Sequence, residues 1–254
     1  MKFLKALVVF FVLISTKSFA TAQVPDYLII DKDTLRIQSN PLQEYFKIHP
    51  MPGNLTTTVS TGNWRGYIAF FKFLDGKLVV ENIYKENYKE NGKGETDFFM
   101  TSIYKDVFGE KSNFECNFYS GLLICASGNI VEYVHMGYSS LYENYNLIEI
   151  KNGINIKSKK FTTKEFQKFK IDYFKYYKRT EEYKLQVKQF KDETVGEGEI
   201  GMSNSSFLIG NPGIGKENQS LKKKEAEFRA DKQIDSFMFA FLSDYMKTIE
   251  IPTN

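Results

Sequence analysis

Residues 114–150 read FECNFYSGLLICASGNIVEYVHMGYSSLYENYNLIEI. Apolar and polar positions alternate along this stretch, and Gly, Ser and Asn punctuate it, as in antiparallel strands joined by short turns. It predicts the middle of a β-sheet folded as a meander. With turns at Ser120-Gly121 and Ser127-Gly128, Cys116 lies opposite Cys125, and Cys125 opposite Ile130. One face then carries Phe114, Cys116, Phe118, Leu123, Cys125 and Ile130, while Tyr133 and His135 fall on the other. Cys116 and Cys125 form a non-hydrogen-bonded pair in this register, with Cα atoms about 4.5 Å apart, within disulfide range. The alternative is two buried thiols acting as small hydrophobes.

Upstream, Asp31-Lys32-Asp33 joins two short strands at 27–30 and 34–37. Asn40-Pro41-Leu42-Gln43 has the form of a helix start, with Asn40 as N-cap and Pro41 at the first helical position. Asp75-Gly76 predicts a type I′ hairpin turn that pairs Phe73 with Leu78 and Phe71 with Val80. Residues 85–95, charged and containing Gly and Asn, read as a loop. Residues 97–108 read as a helix capped by Thr96 and stopped by Gly109. Downstream, Asn152-Gly153 suggests a hairpin, but its simple register sets Ile148 and Ile150 opposite the polar Asn155 and Lys157. The period then changes to 3.6. Thr162 through Glu165 is a capping box, and Phe166, Phe169, Tyr173, Tyr176 and Tyr177 form an aromatic stripe. Residues 192–220 read as a mobile loop and 222–247 as a last amphipathic helix. The fold class is α+β: an antiparallel multi-stranded sheet over 25–160 with C-terminal amphipathic helices over 162–247 packed on it. Residues 23–254 form one domain.

The first 22 residues stand apart. Lys2 and Lys5 precede an unbroken apolar run over Ala6–Ile14, and Ala20-Thr21-Ala22 fits a small-residue cleavage site before Gln23. The run falls short of the roughly 20 residues that a membrane span needs. The chain reads as an exported protein, periplasmic or secreted, with no transmembrane segment after cleavage. The whole chain has 34 Lys+Arg and 31 Asp+Glu, a formal +3. Lys2, Lys5 and Lys17 leave with the leader, so the mature chain is formally neutral and offers no electrostatic footprint for nucleic acid.

The chemistry-bearing residues are few. GNPGIGK at 210–216 approaches a phosphate-binding loop, but Glu217 stands where the magnesium-binding hydroxyl belongs and would repel phosphate. A Gly/Pro turn is the better reading. Two histidines, His49 and His135, are too few for a zinc site in this chain, and no cofactor is implied. His135, Tyr138 and Glu143 lie close in sequence and could serve a hydrolase. Ser139 and Ser140 beside them do not make a triad, which geometry alone defines. Trp64 and Arg65 suit either a ligand-stacking platform or a core tryptophan with an arginine at its rim, and the core reading is preferred.

GNWRGYIA at 62–69 and VHMGYSSLYENY at 134–145 resemble segments of uncharacterised exported bacterial proteins. The resemblance covers the central β region and implies export but no activity. The leading functional expectation is a non-enzymatic binding or interaction protein with an envelope or extracellular partner. The alternatives are a hydrolase with a site near His135, Tyr138 and Glu143, and a scaffold whose 192–220 loop recruits a partner.

Overall fold

The computed structural model describes residues 22–53, 55, 61–90, 92, 96–135, 137–197 and 231–252. The leader predicted before Gln23 (all but Ala22), the 210–216 segment and most of the 192–220 stretch lie outside them.

The chain is a mixed α+β protein built on a large, mostly antiparallel sheet. Among the described residues nine strands contribute: β1 (Asp26–Ile30), β2 (Asp33–Ile37), β3 (Ile68–Leu74), β4 (Lys77–Glu90), β5 (Thr96–Ser102), β6 (Phe114–Glu115), β7 (Gly121–Glu132), β8 (Leu141–Lys151) and β9 (Ile154–Thr162). The pairing runs β3-β1-β2-β7-β8-β9-β4, and β3 also pairs with β4, so the path returns on itself as a barrel. Only β1 and β3 are parallel neighbours among the named strands. Closure between β9 and β4 rests on one pair, Lys77 with Ile154, at the Asn152-Gly153 turn.

That turn shows why a glycine is needed there. Gly153 has φ 77°, donates its N–H to the Tyr119 carbonyl at 2.9 Å and accepts from the Leu78 N–H at 2.7 Å. A Cβ at this position would lie 2.8 Å from the Cys116 carbonyl oxygen. Three chain segments meet at one glycine.

Inside the closed sheet, Leu28, Ile37, Phe71, Leu78, Val80, Leu123, Ile148 and Ile150 pack into one core. Helix α1 (Pro41–Ile48) contributes Leu42, Tyr45 and Phe46 to it, and the short α2 (Tyr104–Phe108) contributes Tyr104, Val107 and Phe108. A second core lies on the opposite face of β7 and β8. There Leu122, Ile124, Tyr145 and Leu147 meet Phe166, Phe169, Tyr173 and Tyr177 of α3 (Thr163–Tyr177). Helix α5 (the described part is 231–240) adds Ile234 and Met238. The capping box forms as predicted, with Thr162 and Glu165 bonded to each other's backbone N–H groups. The helix breaks at 178–180 before α4 (Glu181–Glu197), which leaves Leu185 exposed.

Several expectations are corrected. The β3–β4 register agrees at Phe73 with Leu78 and at Phe71 with Val80. Residues 85–90, however, continue β4, and 96–102 form β5 rather than a helix. Tyr84, Glu86 and Tyr88 alternate with Lys85, Asn87 and Lys89, a strand period masked by the charge. Asn40 occupies the N-cap position of α1 but makes no cap bond. The β8–β9 hairpin does place Ile150 opposite Asn155, and a bulge then sets Ile148 opposite Ser158. The meander is wrong at both turns. β7 runs unbroken from Gly121 to Glu132, while β6 pairs with β4. Cys125 therefore faces Ile37 on one side and Asn146 on the other, not Cys116.

Both cysteines are free and buried in the inner core. Burial pushes both thiols up, Cys125 to about 12, so little reactive thiolate forms. Alkylation of denatured, unreduced protein will add two groups, and neither thiol will react at a comparable rate in the folded chain. An unchanged mass after denaturing alkylation would mean a bridge.

Candidate functional site

A polar network centred on Arg65 runs through the protein interior. Arg65 sits in the turn between the 3₁₀ segment Thr61–Asn63 and β3, where Gly66 (φ 75°) reverses the chain. Its side chain is 2% exposed, and that of Asp26, the first residue of β1, is fully buried. The guanidinium donates to the Val24 carbonyl at 2.7 Å, the Tyr138 hydroxyl at 2.7 Å and Asp26 Oδ1 at 3.3 Å. Asp26 Oδ1 also accepts the Ala69 N–H at 2.8 Å, which fixes β1 against β3. The Tyr138 hydroxyl donates to Asn40 Oδ1 at 2.8 Å, and Asn40 Nδ2 donates to Asp244 Oδ1 at 2.9 Å. This explains the missing cap, because the Asn40 side chain is used across the fold. The ring of Tyr67 lies 5.4 Å from the Arg65 guanidinium carbon.

Electrostatics follow from this burial. Desolvation raises the Asp26 carboxyl, against the pull of Arg65 and of the Ala69 N–H. Burial opposes the charge on Arg65, but the facing Asp26 leaves its pKa above the ordinary range. Burial lifts Asp244 from 3.8 to about 6, with the Asn40 bond and the charges of Arg65 and Lys247 opposing. Lys170 of α3 is a second buried cation. Burial lowers it to about 8, and its amine sits 4.7 Å from the centre of the Phe239 ring, so its role is packing.

Of the residues singled out from sequence, only Arg65 and Tyr138 come together, and they do so as internal struts. Trp64 is 54% exposed, a correction to its expected place in the core. His135 is exposed and shares a 2.9 Å hydrogen bond with the Tyr133 hydroxyl. Glu143 is exposed and accepts from the Asn129 backbone N–H at 3.0 Å and Asn129 Nδ2 at 3.1 Å. Those bonds hold its carboxyl below its usual range, the opposite of what a general acid requires. Glu149 is occupied by the Ile249 N–H and the Thr248 hydroxyl. Among the described residues, no group of three or more His, Cys, Asp or Glu is placed to hold a metal, and no helix is long and apolar enough to cross a membrane.

The open feature lies elsewhere. The barrel closes at Gly153, and β8 and β9 run from there to a cleft of about 570 Å³ at the other end. Strand register explains its lining. Leu123 and Ile148 lie in the inner core. One step along the same face, Cys125 faces Asn146 and Asn146 faces Lys160. A further step brings Ser127 opposite Asn144 and Asn144 opposite Thr162. Because side chains two apart share a face, the inner wall turns from apolar to hydrogen-bonding as it reaches the mouth. Ile30 and Leu35 supply an apolar side and Asp33 a carboxylate. The side chains of Asp33, Ser127, Asn144, Asn146 and Lys160 have no hydrogen-bond or ion-pair partner among the described residues. Sequence reasoning missed them because it needed the β7–β8–β9 register, and the assumed turn at Ser127-Gly128 removed it.

Comparisons with protein-family models, curated proteins and solved structures find no match.

Two outcomes follow from the buried network. Arg65→Met will lower the unfolding free energy by about 3–5 kcal/mol, because it strands a buried carboxylate. Asp26→Asn, whose Oδ1 still accepts from Ala69, will cost less, and chemical denaturation of both variants tests the order. The second concerns pH. A carboxyl raised on folding is favoured in its protonated form, so Asp244 contributes most at low pH and that contribution is lost as pH rises from 3.8 through about 6. Asp244→Asn will flatten this part of the stability–pH curve, and an unchanged slope would exclude Asp244 as its source.

Proposed function

We propose that the chain is an exported, non-enzymatic protein that binds a small, near-neutral, polyhydroxylated ligand such as a sugar ring in the cleft at the open end of the barrel. The observation that carries this reading is the row of polar side chains, unpartnered among the described residues, that continues the inner face of the sheet. Pockets that orient small polar ligands combine an apolar wall with a few convergent hydrogen-bonding groups. Here Ile30 and Leu35 give the wall, and the two amides, one hydroxyl, one carboxylate and one ammonium give both donors and acceptors. With Asp33 and Glu165 set against Lys160, no single charge dominates the cleft.

Export rests on the leader-like first 22 residues and their cleavage pattern before Gln23. The C-terminal helices are read as a brace on the outer face of β7 and β8, keeping the mouth in shape. Geometry gives the alternative hydrolase no support. Tyr138 is buried and bonded to Arg65 and Asn40, His135 is bonded to Tyr133, and Glu143 is tied to Asn129.

The test is calorimetric titration of the mature chain with a panel of mono- and disaccharides, with amino acids and dipeptides as the contrasting class. A saccharide should bind. Asn146→Ala and Lys160→Ala should each weaken it by about tenfold, the loss of one good hydrogen bond, without moving the melting temperature. Undiminished binding by both variants would remove the cleft from the account. Binding only by the amino-acid class would overturn the ligand class.

A further inference from the structure

Strand β5 carries a separate inference. Among the described residues it pairs only with β4, so its far edge is open. A strand wet on one face alternates apolar and polar positions, yet residues 97–101 run Asp-Phe-Phe-Met-Thr. Phe98 and Met100 lie on one face and Phe99 on the other, and they are 51%, 47% and 46% exposed. Tyr88, opposite Phe98 on β4, is half-exposed as well, with the two rings 5.3 Å apart. Another open edge is guarded differently. Beyond Ile154, β9 pairs only with β8 among the described residues and presents Lys157, Lys159 and Lys160, all exposed. Lysines on an edge oppose the addition of a further strand. β5 has no lysine or arginine, and its one charge is Asp97.

The ladder indicates which backbone groups point out. The Ile103 N–H donates to the Ile83 carbonyl at 2.9 Å, and the β4–β5 register, which begins at the next pair, runs without a shift. Bonding sides alternate along an antiparallel pair. Phe99 and Thr101 therefore turn their N–H and C=O groups to β4, and Phe98 and Met100 turn theirs outward.

We infer that β5 pairs antiparallel with β5 of a second copy of this chain, across a two-fold axis at Phe99, joining the two sheets into one. This register uses the whole strand. Phe98 of each copy exchanges both backbone hydrogen bonds with Met100 of the other. Phe99 meets Phe99 in a non-hydrogen-bonded pair, where side chains lie closest, and aromatic cross-strand pairs are favourable. Asp97 falls opposite Thr101, so no like charges meet across the seam. A two-fold contact of this kind is closed, and assembly stops at two copies. The seam is seven residues long, small beside permanent interfaces, so the dimer depends on concentration.

The experiment is sedimentation equilibrium of the mature chain from micromolar to several hundred micromolar. The mass should rise from one chain to two. Phe99→Lys sets like charges against each other at the axis and should raise the dimer dissociation constant by about tenfold or more. Its melting temperature in dilute solution should be unchanged, because Phe99 is half-exposed in the single chain. Register is read by cysteine capture under mild oxidation, for which the buried Cys116 and Cys125 are poor competitors. Phe99→Cys should link two copies. Thr101→Cys should not, because the two copies of that residue lie four positions out of register, about 13 Å along the strand. Hydrogen exchange at the Phe98 and Met100 amides should slow as concentration rises. A chain that stays single throughout, or a dimer indifferent to Phe99→Lys, would overturn the inference. So would capture at residue 101 but not 99, or protection of the Phe98 and Met100 amides that does not change with concentration, which would mean that the edge is covered within one chain.

Discussion

Arg65 is the constraint on which the rest of the structure depends. A guanidinium taken out of water must be met by acceptors on several sides, and these come from distant parts of the chain. Val24 comes from the segment before β1 and Asp26 from its first position, Tyr138 from the connection after β7, and Asp244 from the C-terminal segment through Asn40. The arrangement is costly as well as cohesive. Asp26 Oδ2 and the Tyr67 hydroxyl are buried with no hydrogen-bond partner among the described residues. Such a network specifies which segments meet more than it adds net stability.

The two ends of the barrel differ for a related reason. At Gly153 the backbone of β4, the β8–β9 turn and the 116–119 segment exchange hydrogen bonds so closely that no side chain fits. At the other end β9 has no partner but β8 among the described residues, and its inner-face residues Ser158 and Lys160 are exposed. The splayed end, where polar side chains join Ile30 and Leu35 among the described residues, is the place proposed for the ligand.

The sequence made some of this legible. Local turn chemistry was decisive at Asp31-Lys32, Asp75-Gly76 and Asn152-Gly153, where a positive φ is required and Asp, Asn and Gly supply it. The capping box at Thr162 was equally clear, because its two bonds are local. What failed was long-range pairing. Ser120-Gly121 and Ser127-Gly128 look like hairpin turns, but β7 takes β2 and β8 as neighbours, and Gly128 falls in an irregular stretch of its ladder. The disulfide expectation failed with that register, and the cleft stayed hidden for the same reason. Arg65 and Tyr138 were noticed as surface candidates. Their burial depends on Asp26 and Asn40, and no sequence spacing reveals those partners.

The central claim is that ligand binding occurs at the open mouth of the barrel and not around His135. Amide chemical-shift mapping of the isotopically labelled mature chain, with a bound saccharide titrated in, tests it most directly. The account predicts perturbations concentrated at Asp33, Ser127, Asn144, Asn146 and Lys160, with the amides of Trp64, His135 and Glu143 unmoved. Perturbations centred on Trp64 or His135, with the mouth of the barrel silent, would contradict it.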